Sequence, residues 1–170
     1  SDSYATGSGR GNDYIGGLVG YHVEGSVENS YAAGSVGGND RVGGLVGDNH
    51  DGSVENSYAT GSVSGKDQIG GLIGKNGGSV KNCYATDNVS GNDRVGGLIG
   101  KNGGSVKNSY TTGNVSGEDQ IGGLVGINDE GAVMNCNATG NVNGRGDNVG
   151  GLVGGNNYGI VEESSAIGAV

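Results

Sequence analysis

Six aspartates, Asp13, Asp40, Asp67, Asp93, Asp119 and Asp147, recur at near-constant spacing, each followed two residues later by valine or isoleucine. Carboxylates repeated in this way can gather a divalent cation. If they stack at ~4.8 Å, adjacent charges in water repel by about 0.9 kcal/mol per pair. Calcium held between neighbours would relieve that repulsion. The same spacing has a plainer reading: an aspartate entering a strand caps the preceding turn through backbone N–H groups. Arg41, Lys66 and Arg94 are interleaved to offset the charge. The Gly-Gly-x-Gly-x-Asp nonapeptide of calcium-dependent rolls is absent, so the turn cap is preferred, and no cofactor is expected unless the column holds calcium.

Other residues invite chemistry and give less of it. Arg145-Gly146-Asp147 spells an integrin-recognition tripeptide at an inserted turn, but Asp147 already belongs to the aspartate series. Asn88, Asn114 and Asn137 open Asn-x-Ser/Thr acceptor sequences. His22 and His50 lack a matching ligand set. Lys75 and Lys101 follow Gly-Leu-Ile-Gly without the spacing or Ser/Thr of a phosphate loop. Cys83 and Cys136 fall two periods apart in a column otherwise held by Ser30, Ser57 and Ser109. Two strand spacings are roughly 9.6 Å, beyond the ~7 Å reach of a disulfide, so both thiols are expected to be free and buried. Catalysis needs an acid and a base in different environments. These carboxylates recur in nearly identical ones, and no enzyme activity is expected.

The elements that carry these residues follow from one frame, Gly-Gly-Leu-Val/Ile-Gly, whose leucine falls at Leu18, Leu45, Leu72, Leu98, Leu124 and Leu152. Each period contains three β-like runs. One holds Ile15, Val42 and Ile69 with the glycine frame; the second holds Val27, Val54 and Val80; the third ends at Val36, Val63 and Val89. Short β-branched runs between glycine and asparagine are strand signals, and no helical period competes. Units of this size bury their apolar side only against the units before and after. The expected fold is all-β: a parallel β-solenoid of about six coils of 26 to 28 residues, with three short strands per coil and the leucines in one interior column. Length differences fall in glycine-flanked turns, where they leave strand register intact.

Columns of like residues follow from that stacking. Asn29, Asn56, Asn82, Asn108 and Asn135 predict one asparagine ladder, and Asn49, Asn76, Asn102, Asn128 and Asn156 a second. The paired glycines predict positive φ or close backbone approach. Alternation in Asn-Ser-Tyr-Ala-Thr turns Ser/Cys and Ala inward and places Tyr4, Tyr31, Tyr58, Tyr84 and Tyr110 outward, beside Thr6, Thr60, Thr86, Thr112 and Thr139. The alternative is a buried tyrosine stack, which would supply bulk to a chain with 42 glycines and no phenylalanine or tryptophan. A propeller is the minor alternative fold, but a blade needs four strands.

Gly-Gly-Leu-Val-Gly followed by Asn-Ser-Tyr-Ala-Thr-Gly-Ser-Val resembles the GLUG-motif repeats of large bacterial and archaeal surface or secreted proteins, and the resemblance spans essentially residues 1–170. It implies an extracellular or cell-surface setting, an adhesin-like protein or the repeat region of an immunoglobulin-cleaving metallopeptidase, and it carries over no catalytic residue. Asn137, Asp87 and Ser164-Ser165-Ala166-Ile167 depart from the pattern. The chain starts at Ser1 in mid-repeat, which predicts a piece of a longer protein. The net charge of −9 opposes nucleic acid, and no apolar run is long enough to cross a membrane. The expected function is a non-catalytic structural stalk or adhesion module whose partners are adjoining repeats or domains of the same chain and, beyond them, a host or cell-surface glycan or protein. The alternatives are a repetitive binding face for glycan or ice built on the Tyr and Thr columns, and a polysaccharide-active β-helix enzyme.

Overall fold

A computed structural model describes residues 2–170, and all regular structure in it is strand. The strands form five parallel sheets that run the length of the molecule, each strand hydrogen-bonded to its equivalents one period before and after. This is a parallel β-solenoid of about six coils. Sheet I has seven strands, from Tyr4–Ala5 to Ser165–Ala166; sheets II to V have six each. In the third coil the strands of sheets I to V are Tyr58–Ala59, Val63–Ser64, Asp67–Gly70, Ile73–Asn76 and Ser79–Lys81.

The expected three strands per coil are therefore five. The run containing the glycine frame divides into sheets III and IV at the Gly-Leu pair, and the run ending at Val63 divides into sheets I and II at Thr60-Gly61-Ser62. The physical reason lies in the glycines. A Cβ at Gly43 would collide with Val46 O of its own coil, and one at Gly44 would meet Gly71 O and sit 2.8 Å from Ala59 Cβ. At Gly47 it would lie 2.6 Å from the carbonyl carbon of Tyr14 in the preceding coil. Sheets III and IV thus fold against each other backbone to backbone. Close approach, and not positive φ, is what the frame requires; among the described residues the one positive-φ glycine is Gly25, outside the frame.

Leucine turns inward at this bend. Leu45 N donates to Leu72 O at 2.9 Å, and Leu72 N to Leu98 O at 2.9 Å, so the leucines of successive coils are direct neighbours. Leu45, Leu72, Leu98 and Leu124 are fully buried. The apolar interior has two lobes. One packs the leucines with Val46, Val54 and Ala59 from sheets IV, V and I; the other packs Val36, Val42, Val63 and Ile69 from sheets II and III. Cys83 and Cys136 are free and buried in the first lobe. The Cys83 thiol donates to Lys81 O at 3.2 Å, the bond that Ser57 and Ser109 hydroxyls make to the carbonyl two residues before them.

Two columns have left-handed backbone. Asn29, Asn56, Asn82, Asn108 and Asn135 have φ of 49–54°, a region asparagine tolerates better than other side chains. That conformation, more than the expected continuous ladder, accounts for the column, since the bonded side-chain pairs in it are Asn82–Asn56 and Asn135–Asn108. The second left-handed column is Tyr14, Arg41, Gln68, Arg94, Gln120 and Asn148, each directly after a column aspartate.

Candidate functional site

The tyrosine column is on the outer side of sheet I. Ser57 and Ala59 point inward on either side of Tyr58, and the same alternation repeats in each coil. Tyr4, Tyr31, Tyr58, Tyr84 and Tyr110 stack ring on ring, with centroids 5.4, 5.1, 4.8 and 5.0 Å apart and planes within 3–10° of parallel. The two end rings are the most open, Tyr4 at 69% and Tyr110 at 42% exposure, and the inner three are half-buried by one another. Both faces of the inner three rings are spent within the stack, so along its length the protein presents ring edges and phenol hydroxyls to its surroundings. Removal from water, with the neighbouring Tyr58 and Tyr110, pushes the Tyr84 phenol above its ordinary 10.0. Thr60, Thr86, Thr112 and Thr139 form the adjacent outward column, in which Thr112 Oγ1 donates to Thr86 O at 3.5 Å. Both candidate binding columns share one wall.

The aspartates line sheet III in register from Asp13 through Asp40, Asp67 and Asp93 to Asp119, while Asp147 lies outside the strand that begins at Val149. The left-handed residues Arg41, Gln68 and Arg94 reach this aspartate column with their side chains, and Arg41 also reaches Asp48 of sheet IV. Arg94 Nη2 donates to Asp67 Oδ2 at 2.6 Å, and Gln68 Nε2 donates to Asp40 Oδ1 at 2.9 Å. Arg41 lies 3.5 Å from Asp40 and 3.2 Å from Asp48, whose side chain is 1% exposed. Asp67 Oδ1 and Asp93 Oδ1 remain buried without a hydrogen-bond partner. Burial raises the Asp40 and Asp93 carboxyls above 3.8; the adjacent arginine lowers each and Asp67 raises both. Among the described residues no three His, Cys, Asp or Glu side chains converge as metal ligands. The column is an interleaved carboxylate–guanidinium–amide network.

Sequence spacing did not reveal Arg41 and Asp48 as partners. They lie seven residues apart across the Gly-Leu bend, and contact requires the close packing of sheets III and IV. At the same bend Arg41 stacks over Tyr14 with its guanidinium carbon 4.6 Å from the ring centre, and Tyr14 meets Tyr21 edge to face at 5.5 Å. Lys75 lies 4.0 Å from Asp48, and Lys101 pairs with Asp129 at 2.9 Å. His22 takes the place of an asparagine, its Nδ1 2.8 Å from Asn49 Oδ1, while His50 bonds Asp51. The structure does not bring the two imidazoles to a common site. Arg145, Gly146 and Asp147 are exposed but held down: their N–H groups donate to Gly117 O, Glu118 O and Asp119 Oδ1 of the coil beneath. Asn88, Asn114 and Asn137 are exposed.

Parallel coils in constant register, with repeated outward columns and a two-lobed apolar interior, define a β-solenoid repeat protein. The GLUG motif matches residues 11–37, 38–64, 67–90, 91–116 and 117–143. The chain belongs to the GLUG-motif repeat family. No curated protein and no solved structure matches it.

Proposed function

We propose that this segment is a non-catalytic stalk or adhesion module of a secreted or cell-surface protein, joined end to end to further repeats or domains. The observation that carries the reading is uniformity. Each of the five sheets keeps one register from coil to coil, so length grows by ~4.8 Å per coil without altering the cross-section. Six coils correspond to a rod of roughly 29 Å. Asp40 and Asp93 are shifted in the same direction by the same surroundings, whereas an acid and a base need environments that push their pKa values apart. The self-stacked tyrosines also favour a load-bearing column, since Tyr31, Tyr58 and Tyr84 are stacked on both faces and have none free for a sugar.

The test is to express one, two and three tandem copies and measure their maximum dimension by small-angle scattering. Increments of about 29 Å per copy are expected for a stiff spacer of six coils each. A dimension that grows as the square root of copy number would overturn the stalk reading, because it describes a flexible chain. Hydrolysis of a polysaccharide or peptide, abolished by one Asp→Asn change in the Asp13 to Asp147 column, would replace it with an enzyme.

A further inference from the structure

Charge is distributed very unevenly around the solenoid. Residues 29–37, 56–65, 82–91, 108–117 and 135–144 build the five coils of sheets I and II that follow the first, with the turn between them, and they contain one charged residue, Asp87, in a chain with 9 Lys+Arg and 18 Asp+Glu; the first coil adds Arg10 of sheet II. The outward residues of this wall are in order Asn, Tyr, Thr and Ser or Asn: for the third coil Asn56, Tyr58, Thr60 and Ser62. Each type repeats down the wall at the coil step, apart from Ala33 in the threonine column and Asn137 in the tyrosine column, and the tyrosine rings measure that step as 4.8–5.4 Å. Tyrosine is the longest of these side chains. Its stacked edges form a ridge along the axis, beside a lower shelf floored by the threonines and by Ser35, Ser62, Asn88 and Asn114.

We propose that this shelf is a docking surface for an extended, uncharged β-1,4-linked glycan lying parallel to the solenoid axis. Three observations select that occupant. The wall is nearly free of charge while the rest of the molecule is strongly acidic, which turns away polyanions and leaves a cation only Asp87 to pair with on the wall. Its groups are hydroxyls and carboxamides, the donors and acceptors that pair with sugar hydroxyls. They recur at a step close to the advance per sugar of an extended β-1,4 chain, so successive sugars meet the successive rows Tyr58–Thr60, Tyr84–Thr86 and Tyr110–Thr112; an α-linked chain coils away from a straight shelf. Because the ring faces are occupied, recognition is edge-on, through phenol hydroxyls and ring edges. Each row contributes weakly, and affinity accumulates with the number of coils engaged. This adds a ligand to the stalk reading and does not depend on the scattering result.

The test is affinity electrophoresis of the protein through gels containing hydroxyethyl cellulose, soluble starch or polygalacturonate, with titration calorimetry against cellohexaose. Retardation by hydroxyethyl cellulose alone is expected, with a two-copy protein retarded at least tenfold more strongly. The exposed changes Thr86→Lys and Thr112→Lys together should abolish it without altering the circular dichroism spectrum, and Lys81→Thr, outside the wall, should leave it unchanged. Equal retardation by starch, retardation that survives the double lysine variant, or no retardation by any polymer would each overturn the proposal. Shaping of ice crystals by a protein that ignores hydroxyethyl cellulose would also overturn it and assign the wall to ice.

Discussion

Thr111 occupies the inward position that alanine holds at Ala32, Ala59, Ala85 and Ala138, with no exposure, and its Oγ1 has no hydrogen-bond partner. A buried hydroxyl without a partner costs about 1–3 kcal/mol. Thr111→Val keeps the shape and the β-branch, removes that cost, and adds a buried methyl worth about 0.8 kcal/mol. Fit is tight here, since a Cβ at Gly97 would lie 2.9 Å from both Thr111 Cγ2 and Oγ1, so part of the gain is offset and a net stabilisation of about 2 kcal/mol is expected. Thr111→Ala removes the hydroxyl and a methyl together, so its two effects oppose and its stability should fall within about 1 kcal/mol of the parent. The assay is urea unfolding followed by far-ultraviolet circular dichroism and by tyrosine fluorescence, with midpoints compared at constant slope. A Thr111→Val midpoint at or below that of the parent would refute the reasoning, because it would mean that the hydroxyl is satisfied inside the fold.

Gly44→Ala places a Cβ against Gly71 O and 2.8 Å from Ala59 Cβ, and should destabilise by roughly 3 kcal/mol; Gly7→Ala, with open space around it, should be neutral or slightly stabilising in the same urea assay. Burial lifts the Cys83 thiol to about 11, so the native protein should alkylate slowly at neutral pH, and denatured protein should take one label at each cysteine without prior reduction, as read by mass spectrometry. For Asp40 and Asp93 the folded pKa lies above 3.8. The folded state therefore holds their protons more tightly, and their contribution to stability is present below 3.8 and lost as pH rises through the folded value. Asp40→Asn should flatten that part of the pH profile of the urea midpoint. With Arg41, Gln68 and Arg94 already answering the carboxylates, calcium or a chelator should leave the midpoint unchanged, and a rise with calcium would mark Asp67 and Asp93 as a cation site.

The solenoid was legible because its glycine frame and its leucines obey one period, and period is a property of sequence. The alternation of Tyr58 with Ser57 and Ala59 was legible, because a strand enforces a period of two, but which phase faces the interior was not: a buried tyrosine stack fitted the same pattern until the structure placed the rings outside. The division of each coil into five sheets was not legible. It depends on how closely Gly43 and Gly47 let sheets III and IV approach, and glycine announces permission without announcing distance. The left-handed column that includes Arg41, Gln68 and Arg94 was hidden for a related reason: it contains neither glycine nor the expected run of asparagines, so its backbone is imposed by neighbours. The Arg41–Asp48 contact inherits that invisibility, as do the orphan oxygens of Asp67 and Asp93.

The asparagine line at the end of sheet IV has a direction. Asn49, Asn76, Asn102 and Asn128 each pass a proton donor to the carboxamide oxygen of the next coil at 2.8–2.9 Å, ending at Asn156, and each Nδ2 also bonds a nearby carbonyl. None of these four links runs the other way. Their dipoles therefore add along the rod, oxygen toward the His22 end and nitrogen toward the Asn156 end, and each link polarises the next. Two rods of this kind laid side by side are electrically distinguishable by which way they point. A stalk made of such coils carries an internal arrow, so parallel and antiparallel bundles of it differ in energy even though their surfaces repeat.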